Sequence, residues 1–482
     1  MLDAETPAVV PSGVPGLDEI LMGGLPKSGI IFLGGEPGTG KTTMGLQFLD
    51  QGQRQGERAV FMTLSQSAHD LRRIAASHGI SLDGIEVHEI TALDLARSAD
   101  ERQSVLRTDA VELSSLMTRL HEIISGADGG RLVLDSLFEL RLLAGTTLDY
   151  RRELLILRDL VLRSGATALF IDYVDELIGD RQLEALSNGA LLLEMEVPAY
   201  GSNLRSITVS KMRGCEFIEG RHDLRIRQGG VEIFPRVVPH LSPEALTDEN
   251  ISCGIAELDH MLGGGLQPGT TCLVVGQSGT GKSTLATAYA HAAAKDGRPA
   301  AMFLFEERPE VFRGRSMDLG FEIARLEEAG QITLSHFDPA EVSPGEFCRT
   351  VVAEVEEGGA SVVVIDSLSG YLGSIPNREN LVAQLHALLS YLSRRNVMTI
   401  LTLTQKGLLS GDRSTIVDAS YLADSAILLE YRKEGECLRR TITVVKKRHG
   451  DHEKAVRDFV IGGTSVEVGF SHRSSELKLS VV

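Results

Sequence analysis

The sequence predicts an α/β protein made of two tandem domains, each with a mainly parallel sheet flanked by helices. A glycine-rich pattern, G-x-x-x-x-G-K-[ST], occurs at residues 35–42 and again at residues 276–283. Each copy follows an apolar run of strand type and opens a helix-forming stretch. Short β-rich runs and helical stretches alternate through both halves, as in parallel α/β sheets. The offset of 241 positions between the copies indicates a duplicated domain, because solenoid repeats are only about 20–50 residues long.

Hydrophobic patterning places the elements in order along each half. In the first half, strands are expected at 30–34, 59–64, 131–135, 167–172, 190–195 and 205–211, and helices at 42–55, 67–78, 109–125 and 150–163. In the second half, strands are expected at 271–275, 300–305, 361–365, 398–404, 426–432 and 440–446, and helices at 284–295, 345–357 and 379–395. Ser67 followed by Asp70 resembles a capping box at the start of one helix.

The domain boundaries follow from composition and length. A chain of 482 residues suits two domains of ordinary upper size. The first domain is expected over residues 1–236, and a linker with two prolines and little periodicity over residues 237–250. The second domain is expected over residues 251–467, followed by a short tail at residues 468–482.

Composition excludes several classes of protein. The net charge of −18 repels polyanions and makes nucleic acid an unlikely partner. The five cysteines form no C-x-x-C pair, which argues against a structural zinc site and a disulfide framework. No apolar run approaches the roughly 18 residues that a membrane-spanning helix needs, and there is no signal-peptide pattern. We therefore expect a cytoplasmic protein without a membrane partner.

The duplicated pattern is the phosphate-binding P-loop. Its glycines let backbone N–H groups close around phosphates, its lysine reaches the β- and γ-phosphates, and its final Thr or Ser ligates Mg²⁺. The sequence thus predicts ATP and Mg²⁺ as cofactors at two sites. The predicted ATP-binding residues are Gly35, Gly38, Thr39, Gly40, Lys41, Thr42 and Thr43 in the first half, and Gly276, Ser278, Gly279, Thr280, Gly281, Lys282, Ser283 and Thr284 in the second.

A P-loop enzyme also needs a carboxylate near the Mg²⁺ ion, usually at the end of a neighbouring apolar strand. Asp135 and Asp366 both end such a strand and are followed by serine. The alternative is a strand-terminal Asp that caps a turn, but the duplication favours a metal role. The predicted metal ligands are therefore Thr42 with Asp135, and Ser283 with Asp366.

The halves differ at the next strand end, where a catalytic base is expected. The strand ending at Phe305 is followed by Glu306 and Glu307, which are suited to activating a water or a hydroxyl. At the same offset the first half has Ser65 and Gln66. Glutamine can orient water but takes no proton as glutamate does. We therefore predict that the first site binds nucleotide and hydrolyses it slowly or not at all. For the second half, the alternative is that Glu306 and Glu307 are an ordinary solvated pair at a strand end.

Cationic Lys-x-Arg motifs end a late strand in each half. They are Lys211 with Arg213, and Lys446 with Arg448, the second followed by His452. Such groups could reach the γ-phosphate of a neighbouring subunit, as an arginine finger does in trans. The alternative is an ordinary solvated strand end.

Together these motifs resemble the KaiC family, which belongs to the RecA superfamily of ATPases. The likeness covers residues 12–467 and includes the opening G-x-x-x-L-D-x-x-L-x-G-G-L, found from Gly13 and again from Gly254. It implies two RecA-like domains, a homohexameric double ring with ATP between subunits, and signalling or clock partner proteins. It also implies an ATPase with a Ser/Thr autokinase in the second ring, which makes the protein a phosphoprotein.

The resemblance also assigns residues. It implies that Glu306 and Glu307 are catalytic, that Lys446, Arg448 and His452 act in trans, and that Ser65 and Gln66 replace the first-domain glutamates. The phosphoacceptor pair falls on Ser420 and Tyr421, where the family has Ser-Thr. Ser420 keeps the expected hydroxyl, and a turn-capping role is its alternative.

Two other functions remain open at this point. One is a RecA-like ATPase that handles DNA, which the acidic net charge disfavours. The other is a ring scaffold that uses ATP only for assembly, which gains support from Ser65 and Gln66.

Overall fold

The computed structural model describes residues 8–90, 108–173, 182–239, 249–373, 378–405 and 421–471. The chain divides into two compact units. The first comprises Met1–Ala199 and Asn203–Arg236, and the second comprises Tyr200–Ser202 and Val237–Val482.

The first unit alternates strands and helices. Its strands are β1 (Val9–Val10), β2 (Leu25–Pro26), β3 (Ile30–Gly35), β4 (Ala59–Thr63), β5 (Ile85–Glu89), β6 (Arg131–Asp135), β7 (Thr167–Asp172), β8 (Gly189–Glu196), β9 (Leu204–Met212), β10 (Arg221–Arg227) and β11 (Gly230–Phe234). Its described helices are α1 (Leu17–Ile20), α2 (Lys41–Arg54), α3 (Ala68–Ser77), α4 (Thr108–Ser125), α5 (Phe138–Ala144), α6 (Thr147–Ser164) and α7 (Gln182–Leu186).

The second unit repeats this alternation. Its strands are β12 (Thr271–Gly276), β13 (Ala300–Leu304), β14 (Ile332–His336), β15 (Val362–Asp366), β16 (Met398–Thr404), β17 (Ser425–Glu434), β18 (Cys437–Lys447), β19 (Arg457–Ile461) and β20 (Val466–Ser471). Its described helices are α8 (Ala256–Met261), α9 (Lys282–Lys295), α10 (Pro309–Asp318), α11 (Ile323–Glu328), α12 (Pro344–Glu356), α13 (Leu368–Gly373) and α14 (Arg378–Arg394).

The two units have the same sheet topology. The first sheet has nine strands in the order β11-β10-β9-β8-β3-β7-β6-β4-β5, and the second has the order β20-β19-β18-β17-β12-β16-β15-β13-β14. The six strands from β8 to β5 are parallel, as are the six from β17 to β14. The remaining three strands of each sheet extend it in antiparallel fashion. The prediction of two RecA-like α/β domains is confirmed.

Helices cover both faces of each parallel sheet. In β6, Val133 packs into a core with α2 and α3, whereas Leu132 and Leu134 pack into a second core with α4, α5 and α6. The second unit divides its core in the same way, with α9, α10 and α11 on one face and α12, α13 and α14 on the other. Strands buried on both faces read as continuous apolar runs, which is why the sequence predicts them well.

All strands and helices that the sequence predicts are present, with bounds that differ by at most a few residues. The N-cap is present too, because the Ser67 hydroxyl accepts a hydrogen bond from the Asp70 N–H. The strands that the sequence analysis missed include the edge strands β5 and β14 and the antiparallel extensions β10, β11, β19 and β20. The partly exposed, polar residues of β5, β10, β14 and β19 weaken the apolar signal.

Candidate functional site

The first P-loop connects β3 to α2. Gly40 has a φ of 107°, a left-handed conformation that glycine adopts without strain. The Lys41 ammonium donates to the carbonyls of Gly35 at 2.7 Å and Glu36 at 2.8 Å, so it lies folded over the loop. Burial lowers the pKa of Lys41, and nearby carboxylates partly offset this effect. The ammonium and the N-terminus of α2 together form an anion-binding cradle.

The second P-loop repeats this geometry between β12 and α9. Gly281 has a φ of 102°, and a Cβ atom there would lie 2.6 Å from Ile461 Cδ1. Lys282 donates to the Gln277 carbonyl at 2.9 Å. Thr280 and Thr39 each close their loop by donating to the carbonyl three residues earlier, at 2.8 Å in both units. Both loops therefore have the same phosphate-binding conformation.

Each predicted metal ligand pair is brought together. The Thr42 hydroxyl donates to Asp135 Oδ2 at 2.7 Å. In the second unit the Ser283 hydroxyl donates to Asp366, which also accepts from Thr402 at 2.5 Å. Burial raises the pKa of Asp135 and of Asp366, and the hydroxyl hydrogen bonds partly offset this.

A hydroxyl and a carboxylate oxygen fit Mg²⁺, which prefers oxygen ligands and keeps several waters and substrate phosphates in its shell. Within the described ranges, no group of three or more His, Cys, Asp or Glu side chains could hold a metal ion. The geometry thus suits a Mg²⁺ ion held mainly by a nucleotide, with Thr42 and Asp135 or Ser283 and Asp366 beside it.

Glu306 and Glu307 lie at the carboxyl end of β13 and have different partners. Glu306 is exposed, and its Oε1 accepts a hydrogen bond from the Ser367 hydroxyl at 2.6 Å. Glu307 forms a two-pronged ion pair with Arg315, at 2.8 and 3.1 Å. Because Glu306 accepts from the residue after Asp366, its carboxylate lies at the P-loop edge of the sheet.

The matching strand end in the first unit has no carboxylate. Gln66 closes a tight turn with Thr63, in which the Gln66 N–H donates to the Thr63 hydroxyl at 3.0 Å. Its Oε1 atom is buried and has no hydrogen-bond partner among the described residues. An amide oxygen accepts hydrogen bonds but does not bind a proton as a carboxylate does.

The first unit has charged groups that the sequence analysis missed. Asp172, 1% exposed, lies beside Gly34 at the end of β7 and forms an ion pair with Arg141 at 2.7 Å. Burial raises the pKa of Asp172 to about 6, and the charge of Arg141 offsets this only in part. Leu403 occupies the matching register position in the second unit. A signal was present, because Asp172 ends an apolar strand as Asp135 does.

Two arginines that contact the P-loops were also missed. Arg205 Nε donates to the Gly38 carbonyl at 3.0 Å, and Arg440 Nε donates to the Gly279 carbonyl at 3.1 Å. Each arginine precedes the lysine of its Lys-x-Arg motif by six residues. That repeated spacing was the available sequence signal.

The Lys-x-Arg motifs lie at the opposite end of each sheet from the P-loop. The Arg448 N–H donates to the Asp424 carbonyl, and the Asp424 N–H donates to the Thr271 carbonyl, so Arg448 is level with the start of β12. The same chain of bonds runs from Arg213 through Asn188 to Ile30. Five strand residues, about 17 Å, therefore separate either arginine from the first glycine of its own P-loop.

The side chains of these motifs contact their own unit. Lys446 donates to the Ala423 carbonyl at 2.7 Å, and Arg448 pairs with Asp424 at 3.2 Å. Lys211 and Arg213 both donate to the Ala185 carbonyl, at 3.2 and 3.0 Å. His452 is half-buried near the second motif.

The predicted phosphoacceptor pair is only partly described. Ser420 lies outside the described residues, whereas Tyr421 lies in an exposed turn three residues before Asp424. The turn therefore leads into the same end of the second sheet as the Lys446 motif.

Comparison with known proteins decides the family. The family model described as "ATPase: KaiC" matches twice, over residues 10–238 and 251–473. The chain belongs to the KaiC family of ATPases. The family's two tandem ATPase repeats coincide with the two P-loop sheets, and an ATPase domain of this family implies nucleotide binding.

Named relatives are similar over nearly the whole chain. The circadian clock protein KaiC3 of Synechocystis is 26% identical over 98% of this chain and 94% of its own length. The circadian clock oscillator protein KaiC of Parasynechococcus marenigrum is 25% identical over 98% and 92%, respectively. KaiC of Synechococcus elongatus is 26% identical over 97% and 90%. The similarity to these relatives therefore extends over both domains of the chain.

The described helices and the cysteines have the following properties. Among the described helices, none is long and apolar enough to cross a membrane. The five cysteines of the chain are free thiols, and burial raises the pKa of Cys272 to about 12, so this thiol stays protonated in the core.

Proposed function

We propose that the protein is a Mg²⁺-dependent ATPase that assembles into a homohexameric ring and phosphorylates Ser420 in its second domain. The observation that carries this proposal is the grouping of Lys282, Ser283, Asp366 and Glu306 at one sheet edge. There a phosphate cradle, a metal-binding pair and an exposed carboxylate lie together, as phosphoryl transfer requires. The cytoplasmic setting predicted from the sequence is part of the proposal.

Glu306 is the proposed general base. Its hydrogen bond with Ser367 fixes its carboxylate beside the metal-binding Asp366, and its exposure leaves it accessible to a water or a substrate hydroxyl. Glu307 is held by Arg315 and is better suited to positioning. Ser283 and Asp366 would hold a Mg²⁺ ion that supplies charge neutralisation at the β- and γ-phosphates, and Lys282 would donate to the phosphate oxygens.

The position of Arg448 supports assembly. An extended arginine side chain cannot cross about 17 Å to the phosphates of its own domain. If Arg448 acts on a γ-phosphate, that phosphate belongs to a neighbour. A head-to-tail interface of this kind generates a closed ring when its rotation closes. The same holds for Lys211 and Arg213 in the first domain.

The position of Tyr421 supports the proposal that the neighbouring Ser420 is the phosphoacceptor. The turn at Tyr421 leads to Asp424, which is level with the start of β12. Arg448 lies at this end of the sheet, far from the P-loop of its own domain, and Ser420 directly precedes Tyr421 in the sequence. In a head-to-tail ring this end meets the neighbour's P-loop, so transfer to Ser420 is proposed to occur between subunits.

One experiment tests the three parts of the proposal. The full chain is incubated with Mg²⁺ and γ-labelled ATP, and phosphate release, native mass and phosphosites are measured. We expect phosphate release, a six-chain assembly and label on Ser420. Ser420→Ala should remove most of the label without changing ATP binding, whereas the matched Tyr421→Phe variant should keep it.

The outcomes separate the alternatives. Label that persists in Ser420→Ala would move the acceptor to another residue. Six-chain assembly with neither phosphate release nor label would favour a scaffold that uses ATP only for assembly. A monomer at saturating Mg-ATP would contradict the argument from Arg448.

A further inference from the structure

The first domain lacks the carboxylates of the second at the equivalent strand end. Ser65 stands where Glu306 stands, and Gln66 where Glu307 stands. In the second domain the anchor of Glu306 is Ser367, the residue directly after the metal-binding Asp366. The first domain has a serine at the same place, Ser136 after Asp135.

Ser136 has a carboxylate partner from a different element. Its hydroxyl donates to Glu139 Oε2 at 3.0 Å, and Glu139 belongs to the first turn of α5. The Glu139 side chain is half-buried. Both serines therefore hold a glutamate at the carboxyl end of the metal-binding strand, one from the strand β13 and the other from the helix that follows β6.

The residue that matches Glu139 in the second domain is a glycine beside Phe305 and Glu306. Counting from the serines, Glu139 corresponds to Gly370. A Cβ atom on Gly370 would lie 3.0 Å from Phe305 Cβ and 3.5 Å from Glu306 Cγ. The glycine thus leaves the space that the Glu306 side chain enters. In the first domain position 65 is a serine, and the glutamate comes from the helix instead.

Both glutamates are held next to an aspartate that is proposed to bind the metal. Glu139 accepts from the serine directly after Asp135, at 3.0 Å, as Glu306 accepts from the serine directly after Asp366, at 2.6 Å. Each carboxylate is thus held at the strand end where the aspartate stands.

We propose that Glu139 is the catalytic base of the first domain, in place of the missing Glu306 equivalent. This rests on the proposed function, in that it requires ATP hydrolysis by the chain. The water oxygen bonds to the γ-phosphorus while one water proton moves to the Glu139 carboxylate. The bond from the γ-phosphorus to the bridging oxygen breaks, and its electron pair stays on ADP. Glu139 then releases its proton to solvent, which yields ADP and inorganic phosphate.

The structural alternative is that Glu139 only caps α5. A Ser-x-x-Glu pair stabilises a helix start, and so does a Thr-x-x-Asp pair. The same domain has a matched example in which Thr146 donates to Asp149 Oδ2 at 2.7 Å at the start of α6. Asp149 is exposed and belongs to no phosphate or metal site described above. Asp149→Asn is therefore the control for loss of a helix-terminal acid.

The test uses the full chain with Glu306→Gln, which keeps both P-loops and leaves hydrolysis to the first domain. Phosphate release, displacement of a fluorescent ATP analogue and thermal unfolding are measured. Adding Glu139→Gln should lower the remaining rate of phosphate release by about 10²-fold or more, because a general base typically accelerates a reaction by that factor. Nucleotide binding should not change, and the unfolding temperature should fall no further than with Asp149→Asn. Ser65→Glu combined with Glu139→Gly, which copies the Glu306 and Gly370 pair of the second domain, should restore part of the rate.

Three results would overturn the proposal. The first is a rate of phosphate release that Glu139→Gln leaves unchanged, and the second is an equal loss of rate with Asp149→Asn. The third is no phosphate release from the Glu306→Gln chain while it binds two nucleotides. Absence of phosphate release from the parent chain would instead contradict the proposed ATPase function. The two failures are therefore distinguishable.

Discussion

The two domains share one sheet topology and one P-loop geometry, yet they position their carboxylates from different elements. In the second domain Glu306 extends from a strand end to Ser367, and Gly370 leaves room for it. In the first, Glu139 reaches Ser136 from the following helix. The comparison teaches that the serine after the same strand can pair with a glutamate from either of two elements.

The electrostatic surroundings of the two sites also differ. The first domain has the buried Asp172 and Arg141 pair, where the second has Leu403 and Leu372. The second has the Glu307 and Arg315 pair, where the first has Gln66 and Ile74. Each domain thus has one additional ion pair at its P-loop edge, built from different elements. This difference predicts unequal turnover rates at the two sites.

The largest expected effect concerns ATP sites that are formed by the P-loop of one chain and Arg448 of its neighbour. Lys282→Ala removes the phosphate-binding lysine, and Arg448→Ala removes the proposed trans cation. Each variant alone should lose hydrolysis at the second site by about 10²-fold or more. In mixed rings, an intact P-loop can meet an intact arginine at about a quarter of the interfaces. We therefore expect mixing to restore activity, measured as phosphate release.

The first domain provides the comparison for this experiment. Lys41→Ala mixed with Arg213→Ala should restore first-site hydrolysis in the same way, read in chains that also carry Glu306→Gln. Failure of both mixtures, with mixed rings present by native mass, would contradict action in trans. Recovery in one domain alone would show that the domains differ in their interfaces as well as in their carboxylates.

A smaller effect is expected from Asp172, which has no counterpart in the second domain. Its folded-state pKa of about 6 lies above the ordinary value of 3.8, so the folded chain holds this proton more tightly than the unfolded chain. Its contribution to the free energy of unfolding is therefore fully present below about pH 4 and is lost as the pH rises to about 6. Asp172→Asn removes this dependence.

We subtract the parent's free energy of unfolding from that of Asp172→Asn. This difference should rise between about pH 4 and pH 6, by at most about 3 kcal/mol. Chemical denaturation at several pH values measures it. Leu142→Ala, on the same helix as Arg141 and without a titratable group, is the control and should give a difference independent of pH. A flat profile for Asp172→Asn would mean that Asp172 is ionised throughout this range.

The sequence predicted the central strands, the longer helices and both phosphate cradles, because these depend on local pattern. Lys41 and Lys282, with their glycine-rich loops, are specified by neighbours in the chain. Partners distant in sequence, such as Arg205 with Gly38, depend on how β9 packs against the P-loop, and local pattern carries little of that information. The edge strands β5 and β14 were missed because their polar residues lack the apolar signal.

Glu139 was missed for a specific reason. The P-loops are offset by 241 positions, but the serines Ser136 and Ser367 are offset by only 231. Comparison at the P-loop offset finds the missing glutamates at Ser65 and Gln66 and does not align Glu139 with Gly370. The replacement becomes visible only when hydrogen bonds of Ser136 and Ser367 are compared in three dimensions.

Steady-state phosphate release from four full chains tests the central claim most directly. The chains are the parent, Glu306→Gln, Glu139→Gln and the double variant, all at saturating Mg-ATP. If each domain has its own base, the rate lost in Glu306→Gln and the rate lost in Glu139→Gln should add up to nearly the whole parent rate. The double variant should release phosphate about 10²-fold or more slowly than the parent. A double variant that is no slower than Glu306→Gln alone would contradict the account.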